Sequence, residues 1–147
     1  MRIFVDADAS PVQNEVLQIC EEFELEAVFV KSYAHYSFDA LPSFAKVVYV
    51  DHGADAADYE IVRRVRAGDI VITQDYGLAS LCLAKNVFVF HHKGFQYTHD
   101  NIDRMLAERH MSAQARKAGG RTKGPKAFTQ EAKRTFYKRI TAFIRSK

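Results

Sequence analysis

Residues 2–11, RIFVDADASP, decide how the chain is read. Arg2 to Val5 is a run of strand-forming residues. It ends in two carboxylates one residue apart, Asp6 and Asp8, and is followed at once by Pro11, a residue suited to the opening position of a helix. A strand that delivers two acids to its carboxyl end and then turns into a helix presents an acidic edge.

Four further apolar runs follow: EAVFV (26–30), KVVYV (46–50), DIVIT (69–73) and VFVF (87–90). They are rich in Val, Ile and Phe and nearly continuous rather than alternating, as in parallel strands covered on both faces. Helical patterns separate most of them, which predicts a layered α/β domain. The first helix begins near Pro11 and repeats Val12, Val16, Ile19, Cys20 and Phe23 at helical spacing. A second spans 54–65 and stops at Gly68, and a third covers 76–85. Residues 31–44 show no clear period and are expected to form a loop with a short helix.

After VFVFHHKG (87–94) the alternation stops. The remainder reads as a helix over 101–117, the glycine-rich loop AGGRTKGP (118–125), and a helix over 129–146. That last helix sets Ala132, Phe136, Ile140, Phe143 and Ile144 on one stripe, with Lys133, Arg134, Lys138 and Arg145 largely elsewhere. The expected organisation is a single domain over 1–147, with an α/β core (1–97) and a helical basic extension (98–147).

With 147 residues, 48% of them hydrophobic, the chain can bury a core of its own. No apolar run approaches the roughly 20 residues needed to span a bilayer, and the first residues lack the pattern of a secretory signal. Cys20 and Cys82 show no metal-ligand or CxxC spacing and read as buried hydrophobes of a reducing compartment. The expected location is the cytoplasm. The net charge of +3 conceals a division: residues 1–100 hold 8 Lys and Arg against 15 Asp and Glu, and residues 101–147 hold 13 against 3. A basic tail of this kind either meets a polyanion or folds back to neutralise the acidic body.

Three of the apolar runs end in aspartate, giving Asp6 with Asp8, Asp51, and Asp75. In an open parallel sheet the carboxyl ends of the strands line one edge, where ligands of such folds bind. The helix over 54–65 adds Asp55 and Asp58, which fall on the same stripe as Val62 and Val65. Singly, each acid has a local use: Asp8 or Ser10 can cap the first helix, Asp75 the third, and Asp51 or Asp55 can favour the dipole of the second. Together they crowd. Two unit charges 4 Å apart repel by about 4 kcal/mol at an effective dielectric of 20, whereas a cap returns about 1 kcal/mol. A positive counter-charge is implied, either Mg²⁺ or Mn²⁺, which suit carboxylate oxygens and assist phosphodiester hydrolysis, or the protein's own basic tail. Asp69 begins its strand and belongs to the opposite edge, as a turn residue after Gly68.

Weaker signals surround this edge. Of His91 and His92, adjacent residues on a strand point to opposite faces, so at most one reaches the site. Tyr33, His35, Tyr36 and Phe38 offer either loop packing or stacking surfaces for unpaired bases. Arg121 and Lys123 in the glycine-rich loop, with Arg109 and Arg116 on the preceding helix, can hold phosphates.

The stretches DADASPV (6–12), HGADAADYEIV (52–62), GDIVITQDYGLA (68–79) and the tail beginning NIDRMLAERH (101–110), continued by GGRTKGPKAF (119–128), resemble the YaiI/YqxD family of uncharacterised bacterial proteins across nearly the whole chain. That family is similar in turn to PIN-like proteins. The resemblance implies a three-layer PIN-like α/β domain with a central, mostly parallel five-stranded sheet and a helical basic C-terminal segment. It further implies Mg²⁺ or Mn²⁺ at acids on the strand ends, and ribonuclease activity. On it, Asp6, Asp58 and Asp75 are the catalytic, metal-holding acids, and Asp8, Asp55 and Asp51 support them. The opening motif of the family often carries Cys where this chain has Ser10, which removes any scheme needing a thiol there.

The expected function is therefore metal-dependent hydrolysis of RNA, with Arg109, Arg116, Arg121 and Lys123 receiving the backbone. Two rivals stand beside it. One is a non-catalytic RNA-binding or ribosome-associated module. The other is a phosphatase, because FVDADAS (4–10) also resembles the opening motif of haloacid dehalogenases, with Asp6 as nucleophile and Asp8 as general acid. That family expects a later acidic pair near the same edge, whereas GDIVITQD splits its acids between the two ends of a strand.

Overall fold

The computed structural model describes residues 1–36, 40–51, 53, 55–117 and 127–147, without the side chains of 109, 110 and 112–117. The five apolar runs are all strands: β1 (Arg2–Asp6), β2 (Glu26–Ser32), β3 (Ala45–Val50), β4 (Ile70–Ile72) and β5 (Phe88–Phe90). A sixth, β6 (Gln96–Tyr97), was not expected, because two residues carry no period. The sheet order is β3-β2-β1-β4-β5-β6. All neighbours are parallel except β5 and β6, which form an antiparallel hairpin.

Helices cover both faces, so the architecture is the expected three-layer, mostly parallel α/β domain. The alternation along β1 shows how. Ile3 and Val5 join a core with Val16, Ile19 and Cys20 of α1 (Gln13–Phe23) and with Phe136 and Ile140 of α5 (Gln130–Arg145). Phe4 points the other way, into a core with Ile61 of α2 (Ala56–Arg64), Leu78, Ala79 and Cys82 of α3 (Tyr76–Leu83), and Ile102 of α4 (His99–Lys117). Both cysteines are buried and unpaired, and burial pushes each thiol up to about 12.

The apolar stripe of α5 docks as its spacing predicts: Phe136 and Ile140 are fully buried, and Phe143 and Ile144 pack at the margin. Thr129 caps this helix by accepting the N–H of Ala132 at 3.1 Å. Gly94 lets the helix approach the β5–β6 turn. It sits at φ +96°, and a Cβ there would lie 3.3 Å from Cα of Phe136 and 3.0 Å from Cδ of Arg139. Arg145 reaches Glu22 of α1 at 3.0 Å, so part of the basic tail does neutralise the acidic body. Arg134, Lys138 and Arg139 remain exposed. Among the described residues, no helix is long and apolar enough to cross a membrane.

Candidate acidic site

Parallel pairing of β1 with β4 matches Val5 to Ile72, so the residues that follow each strand meet at one edge. Asp6 closes β1, and Thr73 and Asp75 follow β4. Thr73 is buried, and its hydroxyl joins the two acids: it donates to Oδ2 of Asp6 at 3.0 Å and accepts the N–H of Asp75 at 3.0 Å. Its carbonyl accepts the hydroxyl of Tyr97 at 3.2 Å, which ties β6 to the same point. Burial holds the Tyr97 phenol well above its ordinary range, so it remains a donor.

Asp75 does cap α3, accepting the N–H of Leu78 at 3.1 Å, and it also lines an open depression of about 430 Å³ with Asp6, Gln74 and Tyr76. The two readings of this residue are therefore compatible. Burial raises the pKa of Asp6; the Thr73 hydrogen bond opposes that rise, and the negative charges of Asp75 and Asp8 add to it. A carboxylate crowded by two others in a partly desolvated position favours a proton or a cation.

Asp8 does not cap α1. The helix begins at Gln13, its capping position is Val12, and no side chain caps it; Ser10 Oγ only accepts the N–H of Val12 at 3.4 Å. Asp8 instead accepts the N–H of Ser32, at the end of β2, at 3.0 Å and pairs with Nδ1 of His35 at 2.9 Å. A backbone donor at the neighbouring strand end competes for this carboxylate, and sequence spacing does not show that strand end.

Asp58 is placed differently. It lines a second depression with Asp55, Tyr59, Val62, Arg63 and Leu81, and its charge acts on Cys82 of α3. Among the described residues, no group of three or more His, Cys, Asp and Glu side chains is gathered closely enough to hold a metal ion. Asp51 is exposed beyond β3, and Asp55 stands before α2 without a side-chain capping bond. Asp69 lies at the far end of β4, as its position in DIVIT predicts; buried there, it binds the guanidinium and N–H of Arg2 and the N–H of Arg66.

Arg109 and Arg116 lie in α4 with side chains outside the description, and Arg121, Lys123 and Phe38 lie outside the described residues. Positive groups are present at the β5 end, where exposed Lys93 precedes Gly94 and exposed Arg139 of α5 packs next to that glycine. His91 is buried against Phe95, accepts the N–H of Lys93 on Nδ1 at 3.0 Å, and is pushed down to about 3 by burial and by the charges of His92 and Lys93. It is a neutral structural imidazole. Sequence reasoning missed Thr73 and the Asp8–His35 pair; the T-x-D spacing over 73–75 was the available signal for the first.

A family model described as the uncharacterised YaiI/YqxD family matches residues 4–146. The chain is similar to a UPF0178 protein of Enterococcus faecalis, 50% identical over 145 residues, which are 99% of this chain and 98% of that protein. It is also similar to one of Oceanobacillus iheyensis, 49% identical over 144 residues, 98% of this chain and 99% of the relative. A Bacillus cereus relative shows the same identity, length and shares of both chains. No solved structure matches at a significant level.

Proposed function

The chain belongs to the YaiI/YqxD family, and for it we propose Mg²⁺- or Mn²⁺-dependent hydrolysis of RNA phosphodiesters at the edge formed by Asp6 and Asp75. The observation that carries this reading is the junction at Thr73, which holds two carboxylates on one open depression while the charges of Asp75 and Asp8 act on Asp6.

The donor set fits such an ion. Mg²⁺ is commonly held by one or two carboxylates, with water and substrate phosphate completing its shell, so a third carboxylate is not required. Asp6 and Asp75 would hold the ion, and Thr73 would orient Asp6. Asp8 would act on Asp6 through its charge, since its own oxygens serve Ser32 and His35. When bound, the ion supplies an activated water and neutralises charge on the phosphate. Lys93 and Arg139 would receive the flanking phosphates at the β5 end. The three layers and the acids at strand ends are compatible with the PIN-like likeness, which adds an analogy of fold rather than of function.

The test is calorimetric titration of Mn²⁺ into the wild type, Asp6→Asn and Asp75→Asn, with folding checked by circular dichroism and cleavage of labelled RNA followed in parallel. Saturable binding and cleavage, both lost in the variants, are expected. Folded proteins that all ignore Mn²⁺ would overturn the reading. Salt-sensitive RNA binding that survives chelator and both variants, without cleavage, would identify a binding module instead.

A further inference from the structure

α2 and α3 leave an apolar surface on the outer side of the domain. α3 carries no charged residue in its sequence YGLASLCL, a composition that suits a helix buried on every side. Leu78, Ala79 and Cys82 do enter the core, yet Leu81 is 54% exposed. On α2, which packs beside α3, Tyr59 is 79% exposed, the most open of the large apolar side chains among the described residues. An open depression of about 520 Å³ joins the two helices, lined by Asp55, Asp58, Tyr59, Val62, Arg63 and Leu81. An apolar patch bordered by charges marks a protein interface.

The charges along α2 decide what fits it. Asp55, at the capping position, and Arg63, in the last turn, each stand four residues from Tyr59, one turn to either side on the same face. Both are exposed. Arg63 and Arg64 share Oε1 of Glu60 at 2.6 and 2.5 Å, so one carboxylate serves two guanidinium groups and this end of α2 keeps a surplus positive charge. The face therefore runs acid, tyrosine, arginine at equal spacing, a pattern that is its own complement when reversed. With two copies of α2 antiparallel and the twofold axis at Tyr59, Asp55 of each copy comes opposite Arg63 of the other, and the two apolar depressions meet. Parallel helices would instead set like charges against each other.

We infer that this face is an isologous dimer interface whose occupant is a second copy of this chain. α2 begins at the carboxyl end of the sheet, after β3, and ends at the amino end, before β4. Antiparallel α2 helices thus direct the two Asp6–Asp75 depressions toward opposite ends of the dimer. Helices of nine and eight residues are about 12–14 Å long, a face at the small end of specific interfaces, so the dimer forms reversibly with concentration. The inference does not depend on any activity at the acidic edge.

The test is sedimentation velocity of the full chain from low-micromolar to near-millimolar protein, with folding checked by circular dichroism. The wild type should pass from monomer to dimer as concentration rises. Tyr59→Ser and Leu81→Ser, both at exposed positions, should each weaken self-association at least about tenfold. Charge reversals then read the pairing. Asp55→Arg sets arginine against arginine and Arg63→Asp sets aspartate against aspartate, so each variant alone should be monomeric. An equimolar mixture of the two, with one labelled, should form a heterodimer, because both contacts then join opposite charges, and the double variant Asp55→Arg/Arg63→Asp should dimerise by itself. A wild type that stays monomeric at every concentration would overturn the inference, including the case in which a different protein covers this face. A dimer that persists in both single reversals would overturn it by placing the contact elsewhere, and reversal variants that stay monomeric when mixed would overturn the antiparallel pairing.

Discussion

The hydroxyl of Thr73 donates to Oδ2 of Asp6 at 3.0 Å across the seam between β1 and β4. Because the same oxygen accepts the N–H of Asp75, one buried side chain sets the relative position of the two acids. Replacing it with the near-isosteric Thr73→Val leaves a partly desolvated carboxylate and a backbone N–H without that partner. The expected cost is about 2 kcal/mol, the usual scale for a hydrogen bond to a charged group. Urea unfolding should show it, and Thr73→Ser should recover most of it.

Asp6 should destabilise the metal-free protein when ionised. Its folded pKa is raised by burial, and further by Asp75 and Asp8, so the folded state binds its proton more tightly than the unfolded state. The stabilising contribution is complete below the ordinary carboxylate value of 3.8 and is lost as pH rises through the raised folded value. In EDTA at neutral pH, Asp6→Asn should therefore melt at a higher temperature than wild type, with the difference shrinking as acid is added. Saturating Mn²⁺ should narrow or reverse the order by stabilising the wild type alone. An Asp6→Asn midpoint below that of wild type in EDTA would contradict the assigned repulsion.

His91 predicts the opposite slope. Its folded value is depressed to about 3 from 6.5, first by burial and then by His92 and Lys93, so unfolding takes up a proton between those limits. Stability should fall as pH drops through that window, by up to about 1.4 kcal/mol per pH unit. His91→Asn keeps an acceptor for the Lys93 N–H and should flatten the acid limb of a stability–pH profile. An unchanged profile would remove His91 as its source.

Asp69 supplies a control of the same residue type. It is buried at the opposite edge and bound by Arg2 and Arg66, so Asp69→Ala removes the carboxylate partner of the Arg2 guanidinium, which keeps only the Arg64 carbonyl, and should cost about 2 kcal/mol. Mn²⁺ affinity of the folded protein should not change. A parallel loss of Mn²⁺ binding would mean that ion binding reports general stability rather than the Asp6–Asp75 edge.

The strands were legible because parallel strands covered on both faces must be apolar on both, which leaves uninterrupted runs such as Phe4–Val5 and Val71–Ile72. β6 was not, since its two residues are defined by pairing with β5. The stripe of α5 was legible for the same reason as the strands, because burial of Phe136 and Ile140 imposes a period. Among the acids, Asp75 and Asp69 were assigned to the correct ends of β4 by their positions around one short run. The partners of Asp8 were not, because its carboxylate answers to Ser32, 24 residues away.

By itself, then, the sequence determined the helices and every strand but β6, and that three of the apolar runs lead into aspartate, since these follow from local composition and period. Only the tertiary structure decided which of those ends are neighbours. The order β3-β2-β1-β4 sets Asp6 beside Asp75 through Thr73, turns Asp8 toward β2, and leaves Asp58 on the flank of α2 beside α3. Strand order arises from burying two apolar faces against helices distant in the chain, and no local pattern of residues encodes that partnership.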